Sequence, residues 1–416
     1  MIRAWLSLTL LGVLVAGPSK SAEGSMIDVS TATVVVAKDA SNLILTAADM
    51  LVEEVESRTG IRWTIATDIP TAGPAIVLAA TDPLTTDWRA DAYRTRVVPP
   101  NRVQVTGDGP SGVIHGVGYL LRKMELRPGS VLVSANLDGR MRPKFPLIGH
   151  KLNSAPGANS YDAWTIAEFE QYLRELVIFG STTTESIPIG EMNELMLQSP
   201  AEVAYALSRA ARKYGLRYWL WTAVKWDLTD PVEYRAGLER VEEVIRKSEY
   251  ITDMMVPGGD PGHNHPSDLL PFLRDVHPIL TRYHPNAGIW FSLQKFEPDK
   301  AEWTYEFMNR ERPDWIRGIV TGPWDPGLPE LKQRMPNEYP FRAYPDLTHN
   351  MRAQFPVPWW DRALDMTLGR EGPNPRPTEM AIIHEAYTAG TEGFISYTEG
   401  THDNINLVVW NLRSWE

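Results

Sequence analysis

From residue 143 onward the chain alternates short apolar segments with helical ones, and this rhythm restricts the fold more than any other feature. Segments 147–152, 181–187, 217–223, 252–256, 288–293, 318–321, 341–344 and 393–397 read as buried strands. Between them, 166–179, 200–214, 231–247, 266–283, 299–310, 328–335 and 378–389 carry helical spacing, and a last helix begins near Asn404. Eight strands, each followed by a helix, predict an α/β fold of the (β/α)8 (TIM barrel) type. An open doubly wound sheet is the alternative, but it would carry a glycine-rich nucleotide loop after its first strand. Here that strand runs through His150-Lys151-Leu152-Asn153, with no such fingerprint. The last helix is expected to be still in progress at Glu416, so the natural chain is expected to run on.

Upstream, 31–126 reads as a small α+β unit. Strands are expected at 33–37, 75–80 and 102–106. One helix is expected at 47–58, with Ala48, Leu51, Val52 and Val55 on one face and Gly60 ending it, and a second at 112–124. This order makes a small sheet with helices on one side. The residues around Pro143 mark the junction, giving an expected N-terminal domain over 23–142 and a barrel over 143–416. Residues 1–22 combine Arg3, an apolar run over 6–16 and small residues at Ser19, Ser21 and Ala22, the pattern of a secretory signal peptide. A secreted or periplasmic protein without a transmembrane segment is expected.

Composition narrows the chemistry. With no cysteine, disulfides, thiolate metal sites and cysteine nucleophiles are excluded. A net charge of −11 argues against nucleic acid or anionic membrane as the main partner. Fifteen tryptophans and fifteen tyrosines suit stacking on sugar rings, and equally suit a large core.

In such a barrel, polar residues just after each strand converge on one pocket. Strand by strand these are His150, Lys151 and Asn153; Glu185 and Glu191; Lys225, Trp226 and Asp227; Asp260, His263 and His265; Gln294 and Lys295; Trp324 and Asp325; Asp346, Thr348, His349, Asn350 and Arg352; and Glu399, His402 and Asp403. Ionisable or amide groups at nearly every strand end are what a polyhydroxylated ligand requires.

Gly258-Gly259-Asp260-Pro261-Gly262 is the most informative run. Its glycines permit close backbone approach to a ligand, and Asp260 is set at the rim as a candidate proton donor, or else as the cap of the helix beginning near Pro266. Glu399, leaving the last strand before Gly400, is the favoured second carboxyl, with Asp346 in reserve. Glu185 lies in strand two, where an unpaired charge is costly, and Lys151 or Lys225 is its expected partner. Asp260, His263 and His265 invite a metal reading, but two histidines at this loop spacing are a weak signal; neither metal nor cofactor is expected. His349 and His402 are expected to bind substrate or orient carboxylates. Trp324, Trp359 and Trp360 are stacking walls or core.

The two halves together resemble a known group of enzymes. Ala47-Ala48-Asp49-Met50-Leu51, Arg58-Thr59-Gly60 and Gly109-Pro110-Ser111-Gly112-Val113-Ile114-His115-Gly116-Val117 are similar to the N-terminal domain that precedes the barrel in β-hexosaminidases, O-GlcNAcase-like enzymes and α-glucuronidases. Gly258-Gly259-Asp260 resembles the strand-four signature of β-hexosaminidases, in which the aspartate orients the acetamido group and a following glutamate is the acid; here Pro261 stands in that place. The resemblance implies a glycoside hydrolase acting on a glycan or a uronic acid-containing oligosaccharide, with Asp260, Glu399 and Asp346 as catalytic candidates. Lys151, Asn153, Glu185, Lys225, His263, Gln294, Trp324, His349, Arg352, His402 and Asp403 are the expected substrate ligands. A non-catalytic carbohydrate-binding barrel and a polysaccharide lyase are the alternatives.

Overall fold

The computed structural model describes residues 25–82, 84–85, 87–152, 160–347, 354–355, 363, 375–398 and 404–416. Nine strands come first: β1 (Met26–Asp28), β2 (Thr33–Val36), β3 (Thr64–Ala66), β4 (Ala75–Ala80), β5 (Tyr93–Val98), β6 (Arg102–Gly107), β7 (Glu125–Arg127), β8 (Ser130–Ser134) and β9 (Asp138–Met141). They form a six-stranded sheet ordered β3-β2-β4-β6-β5-β9 and a three-stranded sheet ordered β1-β8-β7. Helices α1 (Asn42–Thr59) and α2 (Pro110–Lys123) cover this unit with buried Leu51, Val55, Val113 and Val117. The sequence reading found only β2, β4 and β6 here. The three-residue β1, β3 and β7 carry no measurable period, β5 exposes Arg94 between the buried Tyr93 and Thr95, β8 buries only Val131 and Val133, and β9 buries nothing fully, so none announces itself as a buried run.

Strands β10 (Leu147–Leu152), β11 (Thr183–Ser186), β12 (Arg217–Trp221), β13 (Asp253–Pro257), β14 (Gly288–Ser292), β15 (Ile316–Thr321), β16 (Phe341–Ala343) and β17 (Gly393–Ser396) close into one parallel barrel. The seam joins β10 to β17, with Leu147 opposite Gly393 and His150 opposite Ser396. Gly393 has φ of 104°, and a Cβ there would stand 1.9 Å from the Leu147 carbonyl oxygen, so only glycine closes the ring at this point.

Local signals set the outer helices. Thr165 and Ser199 each form a capping box, with Glu168 and Glu202 respectively. Prolines stand in the first turns of the helices that begin at Pro200, Pro231, Pro266, Pro298 and Pro377, where no intrahelical amide bond is lost. The final helix, Asn404–Arg413, ends before Glu416, contrary to expectation. Trp415 instead bridges Pro143, and its indole N–H donates to the Gly180 carbonyl at 2.9 Å.

The barrel interior is filled by Trp219, Trp221, Met255, Trp290, Val320, Tyr344, Ile395 and Tyr397. Trp219 and Trp290 therefore belong to the core, as do Trp226 and Trp410, whereas Trp221, Tyr344 and Tyr397 also reach the cavity at its end. Among the described residues no helix is long and apolar enough to cross a membrane.

Candidate active site

The C-terminal ends of the strands enclose a cavity of about 430 Å³, at the small end of ligand pockets. Lys151, Lys225, Asp260, Gln294, Trp324 and Asp346 all line it, drawn from β10 and the segments after β12, β13, β14, β15 and β16. Glu191, Trp221, Tyr344 and Tyr397 join them.

Asp260 is placed by the glycines before it, though not in the expected way. A Cβ on Gly258 would stand 2.7 Å from the Ser292 carbonyl oxygen, and one on Gly259 would stand 3.0 Å from that of Lys295. The glycines thus let the end of β13 lie against the end of β14, and Gly259 N–H donates to the Gln294 carbonyl at 2.7 Å. Asp260 turns into the cavity, where its carboxylate accepts from Gln294 Nε2 at 3.2 Å and faces Lys295 Nζ at 3.3 Å. It caps no helix. His265 caps the helix beginning at Pro266, its ring accepting from Ser267 N–H.

Lys295 and Trp324 both occupy the left-handed backbone region, at φ of 54° and 69°. Such conformations in side-chain-bearing residues are uncommon and gather at functional sites. Here they interlock: Lys295 N–H donates to the Trp324 carbonyl at 3.0 Å, and Lys295 Nζ lies 5.5 Å from the Trp324 ring centroid.

Lys151 rises from β10 to the floor and is only 2 % exposed. Its ammonium donates to Tyr344 Oη at 2.9 Å and lies 3.9 Å from the Trp221 ring centroid, with the Tyr397 ring at 5.2 Å. Burial lowers it to about 7; Glu185 opposes that shift, Arg342 adds to it, and Asp260 and Asp346 oppose it more weakly. Burial also lifts the Tyr344 hydroxyl well above the usual tyrosine range. Asp346 is nearly sealed, its backbone N–H donating to Gln354 Oε1 at 2.8 Å, and it bridges Tyr397 just after the last strand.

Two expected ligands lie elsewhere. Glu185 is fully buried inside the barrel and does not line the cavity; its partner is Arg342 Nη1 at 2.6 Å, not Lys151 or Lys225. The two strands bring these charges face to face, and Arg342 packs over Trp219. His263 is exposed outside the cavity, its backbone carbonyl accepting from Lys300 Nζ at 3.0 Å. Asn153, His349, Arg352, Glu399, His402 and Asp403, with Thr348, Asn350, Trp359 and Trp360, lie outside the described residues. Among the remaining strand-end residues, Asp227 is exposed and bound to Thr229, and Asp325 accepts from Gly322 N–H. His150 is buried between Ser396 and Tyr161, its imidazole lowered by burial to about 3. Among the described residues no group of three or more acidic or histidine side chains is placed to hold a metal ion.

Missed from the sequence are Trp221 and Tyr344, at strand ends, Arg342 as the partner of Glu185, and, apart from Glu191, the loop after β11, which supplies much of the lining. A charge within an apolar strand was a readable signal for Arg342, as it was for Glu185. The aromatics gave none, because core and pocket tyrosines look alike in sequence.

No family model and no curated protein matches the chain. Solved structures do resemble it. The fold is shared with glycoside hydrolases of several families. A GH138 enzyme targeting pectin rhamnogalacturonan II superposes with a TM-score of 0.63 at 11 % identity, over 93 % of this chain and 64 % of its own. A GH115 4-O-methyl-α-glucuronidase with specificity for decorated arabinogalactans gives 0.62 at 12 %, over 94 % and 57 %. A β-hexosaminidase from Streptomyces plicatus, in complex with GlcNAc, gives 0.62 at 13 %, over 94 % and 88 %. The chain thus spans less than two thirds of the length of the first two.

Proposed function

We propose that this chain is an exported glycoside hydrolase acting on a glycan or a uronic acid-containing oligosaccharide, with an N-terminal domain over 23–142 and a catalytic barrel over 143–416. The observation that carries this reading is the convergence of Asp260 and Asp346 with Lys151 in an aromatic-lined cavity at the C-terminal end of a (β/α)8 barrel. Glycoside hydrolysis needs two carboxyl groups, one donating a proton to the leaving oxygen and one acting as base or nucleophile. Asp260 accepts from Gln294 and faces an ammonium, so we assign it the base or nucleophile half. Proton donation then falls to Asp346 or Glu399. Lys151 and Lys225 supply positive charge suited to a sugar carboxylate or to ring hydroxyls, and Trp221, Trp324 and Tyr397 supply faces for the ring.

The test is a panel of 4-nitrophenyl glycosides and uronides assayed with the wild type and Asp260→Asn. Hydrolysis of one class, abolished in a variant that melts as the wild type does, is the expected result; full activity in Asp260→Asn would sink the assignment. Lys151, lowered to about 7 and bonded to Tyr344, is the observation that favours a lyase as second reading. An unsaturated product absorbing in the ultraviolet would mark it, and binding without any turnover would mark a carbohydrate-binding barrel.

A further inference from the structure

The cavity has two unlike halves. Lys151, Lys225, Asp260, Gln294 and Asp346 give one half its charges and amide, arranged around Trp221, Tyr344 and Tyr397. Among the described residues, most of the remaining lining comes from a single loop, the one that leaves β11 and enters the helix at Pro200, with Pro261, Pro323 and Trp324 between the two. It contributes Ile187, Ile189, Met192, Met196 and Pro200. Its polar lining side chains among the described residues are Glu191, which is exposed, and Asn193, whose amide is half engaged. Asn193 Nδ2 donates to Asp162 Oδ2 at 2.8 Å, and its Oδ1 accepts from Leu195 N–H at 2.8 Å. A sugar ring set against Ile187, Ile189, Met192 and Met196 would have hydroxyls desolvated without partners there, at a cost that apolar contact does not offset. The apolar character continues outward along the same loop, where Met192, Leu195 and Leu197 are all more than half exposed.

We infer that the loop after β11 is the site of the leaving group, and that this group is an alkyl or aryl aglycone and not a second sugar. The glycone occupies the charged half, where carboxyls and amide meet its hydroxyls. The aglycone lies along Ile187, Ile189, Met192 and Met196, whose flexible thioethers adapt to an irregular apolar surface. This assignment rests on the glycoside hydrolase reading for the word leaving group, and on the lining alone for the preference.

Methyl and hexyl glycosides of one sugar test it, because their leaving alcohols are nearly equal in acidity and differ in apolar surface. The sugar is the one the glycoside panel identifies or, if the panel is silent, glucuronic acid. The hexyl glycoside is expected to show kcat/KM about tenfold or more above the methyl one, mainly through KM, as two or more buried methylenes require. The ratio should fall to roughly threefold or less in Met192→Ser/Met196→Ser. It should hold in Leu84→Ser, an 88 % exposed leucine of the N-terminal unit. If nothing is turned over, the hydrolase reading fails separately, and calorimetric binding of the same two glycosides still decides: tighter hexyl binding that the double variant removes supports the apolar wall. Equal affinity overturns it. So does tighter binding of a disaccharide than of the hexyl glycoside, or a dimer in sedimentation that Leu195→Ser dissolves, since a second copy would then cover the strip.

Discussion

Asp253 opens β13 and Asp260 follows its C-terminal end, so one strand offers two carboxyls, each facing a cation and a neutral N–H donor. Asp253 is bound by Arg317 Nη1 at 2.7 Å and Trp290 Nε1 at 3.1 Å in a buried setting. Burial pushes its carboxyl up to about 7, while the guanidinium and the indole N–H pull the other way. Asp260 meets Lys295 and Gln294 at longer distances, and its side chain is 28 % exposed towards the cavity. The partner chemistry is alike and the access is not. A carboxyl closed by its partners at the strand start ties the barrel together, whereas one left open at the strand end is available to a ligand. That is the division between the two ends expected of this fold.

Asp260→Asn should break the comparison most severely on the functional side. We expect kcat/KM to fall about 10³-fold, or about 4 kcal/mol of transition-state stabilisation, with an unchanged melting temperature. Asp253→Ala should do the reverse. Unfolding in denaturant should show a loss of about 2–3 kcal/mol, because Trp290 loses its acceptor and Arg317 its partner, with kcat of the folded protein retained. A catalytic loss in Asp253→Ala, at temperatures where it stays folded, would erase the distinction.

Lys151 adds a pH axis. Its folded-state value of about 7 lies below the usual 10.5, so between these the unfolded chain binds the extra proton. The penalty for burying the ammonium is therefore fully present below about 7 and fades as pH rises towards 10.5. Lys151→Met should be more stable than the wild type at pH 6 by about 1–2 kcal/mol, with the gain shrinking through alkaline pH. A pH-independent difference in thermal melts would contradict this placement. Lys295→Ala is the mildest change: it removes a half-exposed cation from Asp260, and should lower kcat/KM by about tenfold at most, with stability altered by no more than about 1 kcal/mol.

The barrel was legible because its signals are local. The helices Pro200–Tyr214, Pro231–Lys247 and Pro266–Tyr283 match the sequence reading at both ends, since proline in the first turn and capping residues such as Ser199 act within a few residues. Lys151, Lys225, Asp260, Gln294, Trp324 and Asp346 line the cavity as their strand-end positions suggest, whereas Asp227, His263 and Asp325, also after strands, do not, because loop geometry turns them elsewhere. Glu185 was misjudged for the complementary reason. Its position was read correctly as costly for a lone charge, but Arg342 lies 157 residues away, and pairing at that separation leaves no mark in the chain.

The sequence by itself determined the alternation of strand and helix, the mouth of the barrel and the prominence of Asp260. Period, capping and strand-end polarity are properties of neighbours along the chain. Only the tertiary structure decided that Asp260 holds Gln294 and Lys295, that Arg342 and not a lysine answers Glu185, that Lys151 sits among Trp221, Tyr344 and Tyr397, and that one loop makes half the cavity apolar. These depend on which strand ends the closed barrel sets side by side, and closure is a relation between residues far apart in the chain.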